Sequence, residues 1–432
     1  MNALFLFLEL FLYCLAGYLL IKKGDLGILY LPVLFFIDTV IDNRLIPSFV
    51  YYSIIILIIL QFIKNNSNFL TNNIFALLIF SYFLLLTTKS GDLVSIRQSL
   101  FNVMWFFLLL PVIPSIYKKY PREIIFKDLA RSATLILLIF IANVLLSTYF
   151  KFSPYAMYGI STGVMYGNLY ATDFNIIGIA IFILLLWSIK KTSLINLAVV
   201  AIAIAFIVLS MRRSVLGISV LGMAIVAFIY LSQNAKKILL FCIVGVLGGF
   251  IVISKTNVLN SLSERYELRN LEERNLNEEA RYFEYDMLYT DIVKHKRYSG
   301  WIGFDLFNSP GNYGDGRFYE RSLHGDIPSI LHSSGIIGVL LYLTMIVIAF
   351  LQAYKAASSR NEKLIVLFCL FTFVTYCLTG RYTQVGTMLL LFLVAKLPVA
   401  KEQIELELYI EPEPVPDRPA LYNTENTKLQ AG

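Results

Sequence analysis

The chain has 432 residues, is 58% hydrophobic and carries charged side chains at only 15% of its positions. A soluble domain is about half apolar and about a quarter charged, so an ordinary soluble enzyme is excluded. The formal net charge of +7 does not point to nucleic acid, because the basic residues sit mostly between hydrophobic segments, where they set membrane topology.

Continuous apolar segments recur at 3–21, 27–41, 46–63, 73–88, 98–117, 132–150, 172–189, 194–210, 214–231, 238–254, 327–351, 363–379 and 382–397. Their lengths suit helices crossing a bilayer. Because the apolar runs are continuous rather than alternating, a helical protein is expected, not a β-barrel. The predicted fold class is all-α: a polytopic membrane protein of 12–13 transmembrane helices with one large external loop. The second segment is short and carries Asp38; a re-entrant turn there gives twelve spans. The first run ends at Lys22-Lys23 without a small-residue cleavage site and is expected to stay as a helix.

The basic connections are Lys22-Lys23, 118–131, Lys190-Lys191, Lys236-Lys237 and 355–363. With thirteen crossings they share one side, assigned to the cytoplasm. The organisation expected is transmembrane helices over 1–254, a long external loop over 255–326 with the candidate active site, C-terminal transmembrane helices over 327–398, and a cytoplasmic tail over 399–432. The tail, with its Glu411-Pro412-Glu413-Pro414-Val415-Pro416 run, reads as disordered. Cys14, Cys242, Cys369 and Cys377 lie in apolar segments without metal or redox spacing. The three histidines are too few and badly spaced for a typical zinc site, and no DxD sequence is apparent.

Four clusters carry candidate chemistry. Arg212 and Arg213 lie between two apolar segments, where the alternatives are a phosphate-binding fork and a snorkelling interfacial pair. A helix over about 276–297 places Arg281, Tyr285, Leu288 and Ile292 on one face. That face is expected to meet the membrane domain, with Arg281 turned inward or paired with Glu278 or Glu284. The third cluster is the glycine-rich run from Tyr298 to Arg317. Its Trp301, Asp305 and Arg317 have the composition of a sugar-holding loop, and equally that of an ordinary structured loop. In the fourth, Ser322-Leu323-His324-Gly325-Asp326, His324 is a candidate general base. Asp326 is a candidate helix cap or partner of a histidine, and His332 lies eight residues beyond His324, either supporting the site or simply satisfied within the bundle.

In order and spacing these elements resemble the O-antigen ligase and polysaccharide polymerase superfamily (Wzy and WaaL-like proteins). Arg212 or Arg213 matches an arginine at the outer end of a middle span, and Arg281 an early loop arginine. Gly300-Trp301-Ile302-Gly303-Phe304-Asp305-Leu306-Phe307 is similar to the family's loop turn, and His324 with Gly335-Ile336-Ile337-Gly338 to its last element. The resemblance covers 205–345; Met211 and Arg213 disturb the Ser-Arg-Gly pattern, and Gly325 stands where an asparagine is usual. It implies a lipid-diphosphate-sugar-dependent glycosyltransferase of the bacterial inner membrane, with its site facing the periplasm and no metal or other cofactor. Arg212, Arg213 and Arg281 would hold the diphosphate of an undecaprenyl-diphosphate-linked oligosaccharide. His324, with Arg281 as the other catalytic residue, would deprotonate an acceptor glycan. The expected partners are those two glycans, the lipid bilayer and a chain-length regulator, with no nucleic acid. Polymerisation of surface polysaccharide is favoured over ligation to lipid A core. From other classes, a transporter of lipid-linked sugars and a sensor with a receptor-like loop stay open; Glu9, Asp38 and Asp173 are the nearest candidates for the transporter's midplane charges.

Overall fold

The computed structural model describes residues 2–42, 44–155, 160–161, 165–170, 172–191, 193–210, 212–230, 280–316, 322–380 and 382–401. The expected span 238–254, Cys242, Glu278, Arg317 and nearly all of the C-terminal tail lie outside them, as do the side chains of 1–3 and 280–282.

The regular secondary structure of the described residues is helical apart from one hairpin of two-residue strands, β1 (Ile160–Ser161) paired with β2 (Tyr166–Gly167). Its helices are α1 (Asn2–Tyr18), α2 (Leu31–Val40), α3 (Ser48–Asn65), α4 (Ile74–Leu86), α5 (Leu93–Tyr117), α6 (Arg122–Tyr149), α7 (Asn175–Lys191), α8 (Leu194–Ser210), α9 (Arg213–Tyr230), α10 (Ala280–Tyr289), α11 (Asp326–Ala356), α12 (Arg360–Thr379) and α13 (Val385–Ala395). Seven helical segments among the described residues are long and apolar enough to cross a membrane, and shorter apolar helices accompany them. The protein is therefore a polytopic, all-α membrane protein.

Helices buried on every side form the centre of such a bundle. α7 is buried along nearly its whole length and α13 along all of it. Phe182 of α7 stacks on Phe368 of α12 at 3.8 Å, and Phe392 of α13 lies 5.7 Å from Phe106 of α5. The outer helices expose apolar side chains, such as Leu57, Leu145, Val347 and Phe371, of the kind that face lipid tails.

The polar contacts separate into two ends. At one, Lys23 pairs with Asp128 and Lys119 with Asp25, each at 2.7 Å, Arg122 pairs with Glu362, and Lys396 donates to Gln352. At the other, Asn168 donates to the Val40 carbonyl, Gln384 to Thr172, and Tyr382 N–H to Asp326. The first is called the basic end and the second the site end.

This separation decides the second span. Glu9 accepts the backbone N–H groups of Leu45 and Ile46, so the start of α1 lies beside the segment that follows α2. Asp25, between α1 and α2, sits at the basic end. The chain thus turns at Gly24, which has φ 51°, and the second segment runs from the basic end to the site end instead of re-entering. Seven 3₁₀ residues, Gly24–Tyr30, precede the ten of α2. The larger 3₁₀ rise gives these seventeen residues about 29 Å, close to a bilayer's hydrocarbon thickness.

Candidate functional site

α10 is amphipathic, and its buried side includes carboxylates as well as apolar residues. Glu284 and Leu288 are each 1% exposed, as is Asp291 in the π-helical turn Thr290–Lys294 that follows, whereas Tyr285 is 46% exposed. Of the expected face, Leu288 is buried and Ile292 half-buried, Tyr285 is the residue that departs, and the side chain of Arg281 lies outside the described residues. Two carboxylates turn inward because each has hydrogen-bond donors there, which offsets the cost of removing it from water. Asp291 accepts the Gly314 N–H at 2.7 Å and Arg297 Nε at 3.3 Å, and Arg297 also pairs with Asp315. This network ties the end of the helix to the glycine-rich loop.

Glu284 binds His324. One carboxylate oxygen accepts the His324 backbone N–H at 2.9 Å, and the other lies 3.0 Å from the ring Nδ1. The imidazole remains 39% exposed. Three further contacts fix the same stretch of backbone. A Cβ on Gly380, whose φ is +72°, would lie 1.9 Å from the His324 carbonyl oxygen, so only glycine lets these segments meet. Asp326, fully buried, accepts the Tyr382 N–H at 3.1 Å. Ser329 N–H donates to the Gly325 carbonyl as α11 begins. Asp326 was expected to cap the helix or orient the histidine. The cap position belongs to Gly325, without a side-chain cap, and the carboxylate that holds His324 is Glu284.

Gly325 also has a local reason. A Cβ there would lie 2.9 Å from Pro328 Cδ and 3.6 Å from Tyr285 Oη. Burial, and then the neighbouring Glu284 carboxylate, raise the Tyr285 phenol above its ordinary pKa.

The two glycine patterns interlock. α11 breaks at Gly335 (φ 68°, ψ −169°). Across the break, Ile336 and Ile337 donate to the carbonyls of Gly300 and Trp301, and Phe304 N–H donates to the His332 carbonyl. The loop thus supplies acceptors for N–H groups that the restarting helix leaves unpaired. A Cβ on Gly335 would come 2.2 Å from Trp301 O, and one on Gly303 (φ +72°) 2.6 Å from Ser334 N. The glycines are required for this close backbone approach. Of the expected sugar-holding residues, Trp301 is 65% exposed, and Asp305 accepts from Asn308 inside its own turn. Arg317 lies outside the described residues.

His332 is fully buried with its ring beside Tyr298, Phe304 and Tyr313, and its Nε2 is 3.2 Å from the Asn312 carbonyl. It anchors the loop against α11. Arg212 is half-buried, with its guanidinium 5.4 Å from the Phe174 ring, and Arg213 is exposed as the first residue of α9. Ser214 contacts Asn175 at 3.4 Å, the Asn175 carbonyl accepts Tyr376 Oη, and Gln384 reaches Thr172. The Arg212 segment therefore shares the site end with His324, through the start of α7 and the segment joining α12 to α13. Arg281 opens α10 one helical turn before Glu284; its side chain lies outside the described residues. Among the described residues, no group of three or more His, Cys, Asp or Glu side chains converges.

The structure brings His324, Asp326 and the Arg212 segment to one end of the bundle, with His332 on α11 packed against the supporting loop. Glu284 as the partner of His324, and the Asp291–Arg297 pair, were missed in the sequence. The only sequence signal for Glu284 was its place in the loop helix, where it appeared as a partner for Arg281. Compared with known proteins, the chain matches no family model and no characterised protein.

Proposed function

We propose that the protein is a membrane glycosyltransferase that extends a lipid-linked glycan at the site end of the bundle. The reading rests on one observation above all: a partly exposed histidine held by a buried carboxylate, at the end of the bundle that also carries Arg212. In the reaction, the acceptor hydroxyl oxygen bonds to the anomeric carbon of the donor. His324 takes its proton, and the bond from that carbon to the diphosphate oxygen breaks with its electron pair. The leaving lipid diphosphate gains negative charge, which guanidinium groups stabilise. Arg212 and Arg281 are assigned this task. The site end faces the cell exterior, because the opposite end carries the basic connections.

Transport is the weaker reading. Glu9 and Asp38, two of its candidate midplane charges, are engaged at the end of the bundle, Glu9 with backbone N–H groups and Asp38 with Arg44.

The test is to reconstitute purified protein in liposomes with an undecaprenyl-diphosphate-linked repeat unit from the same organism and separate the products on a gel. A ladder of longer glycans is expected. Product formed only after addition of lipid A core would replace polymerase by ligase. Movement of the donor across the membrane without any product would overturn the enzyme reading.

A further inference from the structure

We infer that Glu284 is a positioning residue that sets which nitrogen of His324 acts as the base; the inference rests on the glycosyltransferase reading above for its consequence, but not for its geometry. Both carboxylate oxygens face His324, one at the backbone N–H and the other at Nδ1. A carboxylate only accepts hydrogen bonds, so in the neutral imidazole the proton is held on Nδ1. The lone pair then belongs to Nε2, which becomes the atom that removes the acceptor's proton. As that proton arrives, the ring becomes a cation beside an anion 1% exposed to solvent, and low-dielectric surroundings strengthen their attraction.

The paired contact makes an isosteric change informative. In Glu284→Gln one oxygen becomes an NH₂ group. The backbone N–H of His324 is a fixed donor and takes the remaining oxygen. The NH₂ then faces Nδ1, which must accept, so the proton moves to Nε2 and the base is lost while the shape is kept. The placement of Glu284 on α10, one turn after Arg281, also ties the orientation of the base to the helix that carries the proposed diphosphate-binding arginine.

The experiment has two readouts on full-length protein in lipid bilayers. Solid-state NMR of ¹⁵N-histidine-labelled protein, with His324 assigned by comparison with His324→Gln, reports the tautomer without reference to any reaction. Wild type is expected to be protonated at Nδ1 and Glu284→Gln at Nε2. In the turnover assay, kcat of Glu284→Gln is expected to fall about 10- to 100-fold or more, with KM for the lipid-linked donor within about threefold. Glu284→Asp, which keeps the acceptor chemistry, is expected to retain the Nδ1 proton and to recover part of kcat. An Nε2-protonated wild type, or an unchanged tautomer in Glu284→Gln, overturns the inference whatever the enzyme does. The expected tautomers without turnover on any glycan donor would sustain the Glu284 assignment and count against the glycosyltransferase reading alone.

Discussion

At the scale of single residues, the site separates groups that sequence pattern leaves equivalent. Arg212 and Arg213 are adjacent, but Arg212 is half-buried against Phe174 while Arg213 projects from the start of α9. A guanidinium held on an aromatic face loses less freedom on binding a diphosphate than an exposed one. Arg212→Ala is therefore expected to raise KM for the lipid-linked donor about 10- to 100-fold, the worth of a charged hydrogen bond. Arg213→Ala should change it by less than about threefold; equal effects measured by initial rates would contradict the distinction. His324 was legible in the sequence because a histidine just before a long apolar helix sits where membrane and loop meet. Glu284 was not, because its choice of partner is made across forty positions. Locally, Arg281, three residues before it, offers a carboxylate an equally good neighbour.

At the scale of elements, continuous apolar runs located nearly every described helix, while periodicity placed Leu288 of α10 correctly and Tyr285 not. Counting apolar residues assumes that carboxylates turn outward; Glu284 and Asp291 turn inward because His324, Gly314 and Arg297 meet them. The glycine patterns were visible, but their purpose belongs to two segments at once. Gly335→Ala places a Cβ against the Trp301 carbonyl at a backbone conformation that favours glycine. It is expected to cost about 2–4 kcal/mol and to open the loop 299–316 to protease. The control is Gly217→Ala, where an added Cβ meets nothing within 4 Å, so the thermal unfolding midpoint in detergent should be unchanged or slightly higher. Similar midpoints for the two variants would remove the interlock as a stabilising contact.

At the scale of the whole molecule, helical membrane architecture followed from composition, and the separation of the loops into two ends is repeated by the ion pairs and hydrogen bonds that join them. Which end faces outward is testable with single cysteines in a background lacking the native four. Thr88→Cys, beyond α4 at the site end, is expected to react with an impermeant maleimide in intact spheroplasts. Lys64→Cys, at the basic end, should react only after permeabilisation; the reverse pattern would put the site in the cytoplasm. The chemistry is tested by the initial rate of glycan extension by His324→Ala beside wild type in the same liposomes, with folding followed by thermal unfolding. Loss of a general base predicts a rate lower by about 100-fold or more in protein that is still folded at the assay temperature, with the unfolding midpoint lowered because Glu284 loses the donor at Nδ1. A folded His324→Ala protein that extends the glycan at the wild-type rate would contradict the account.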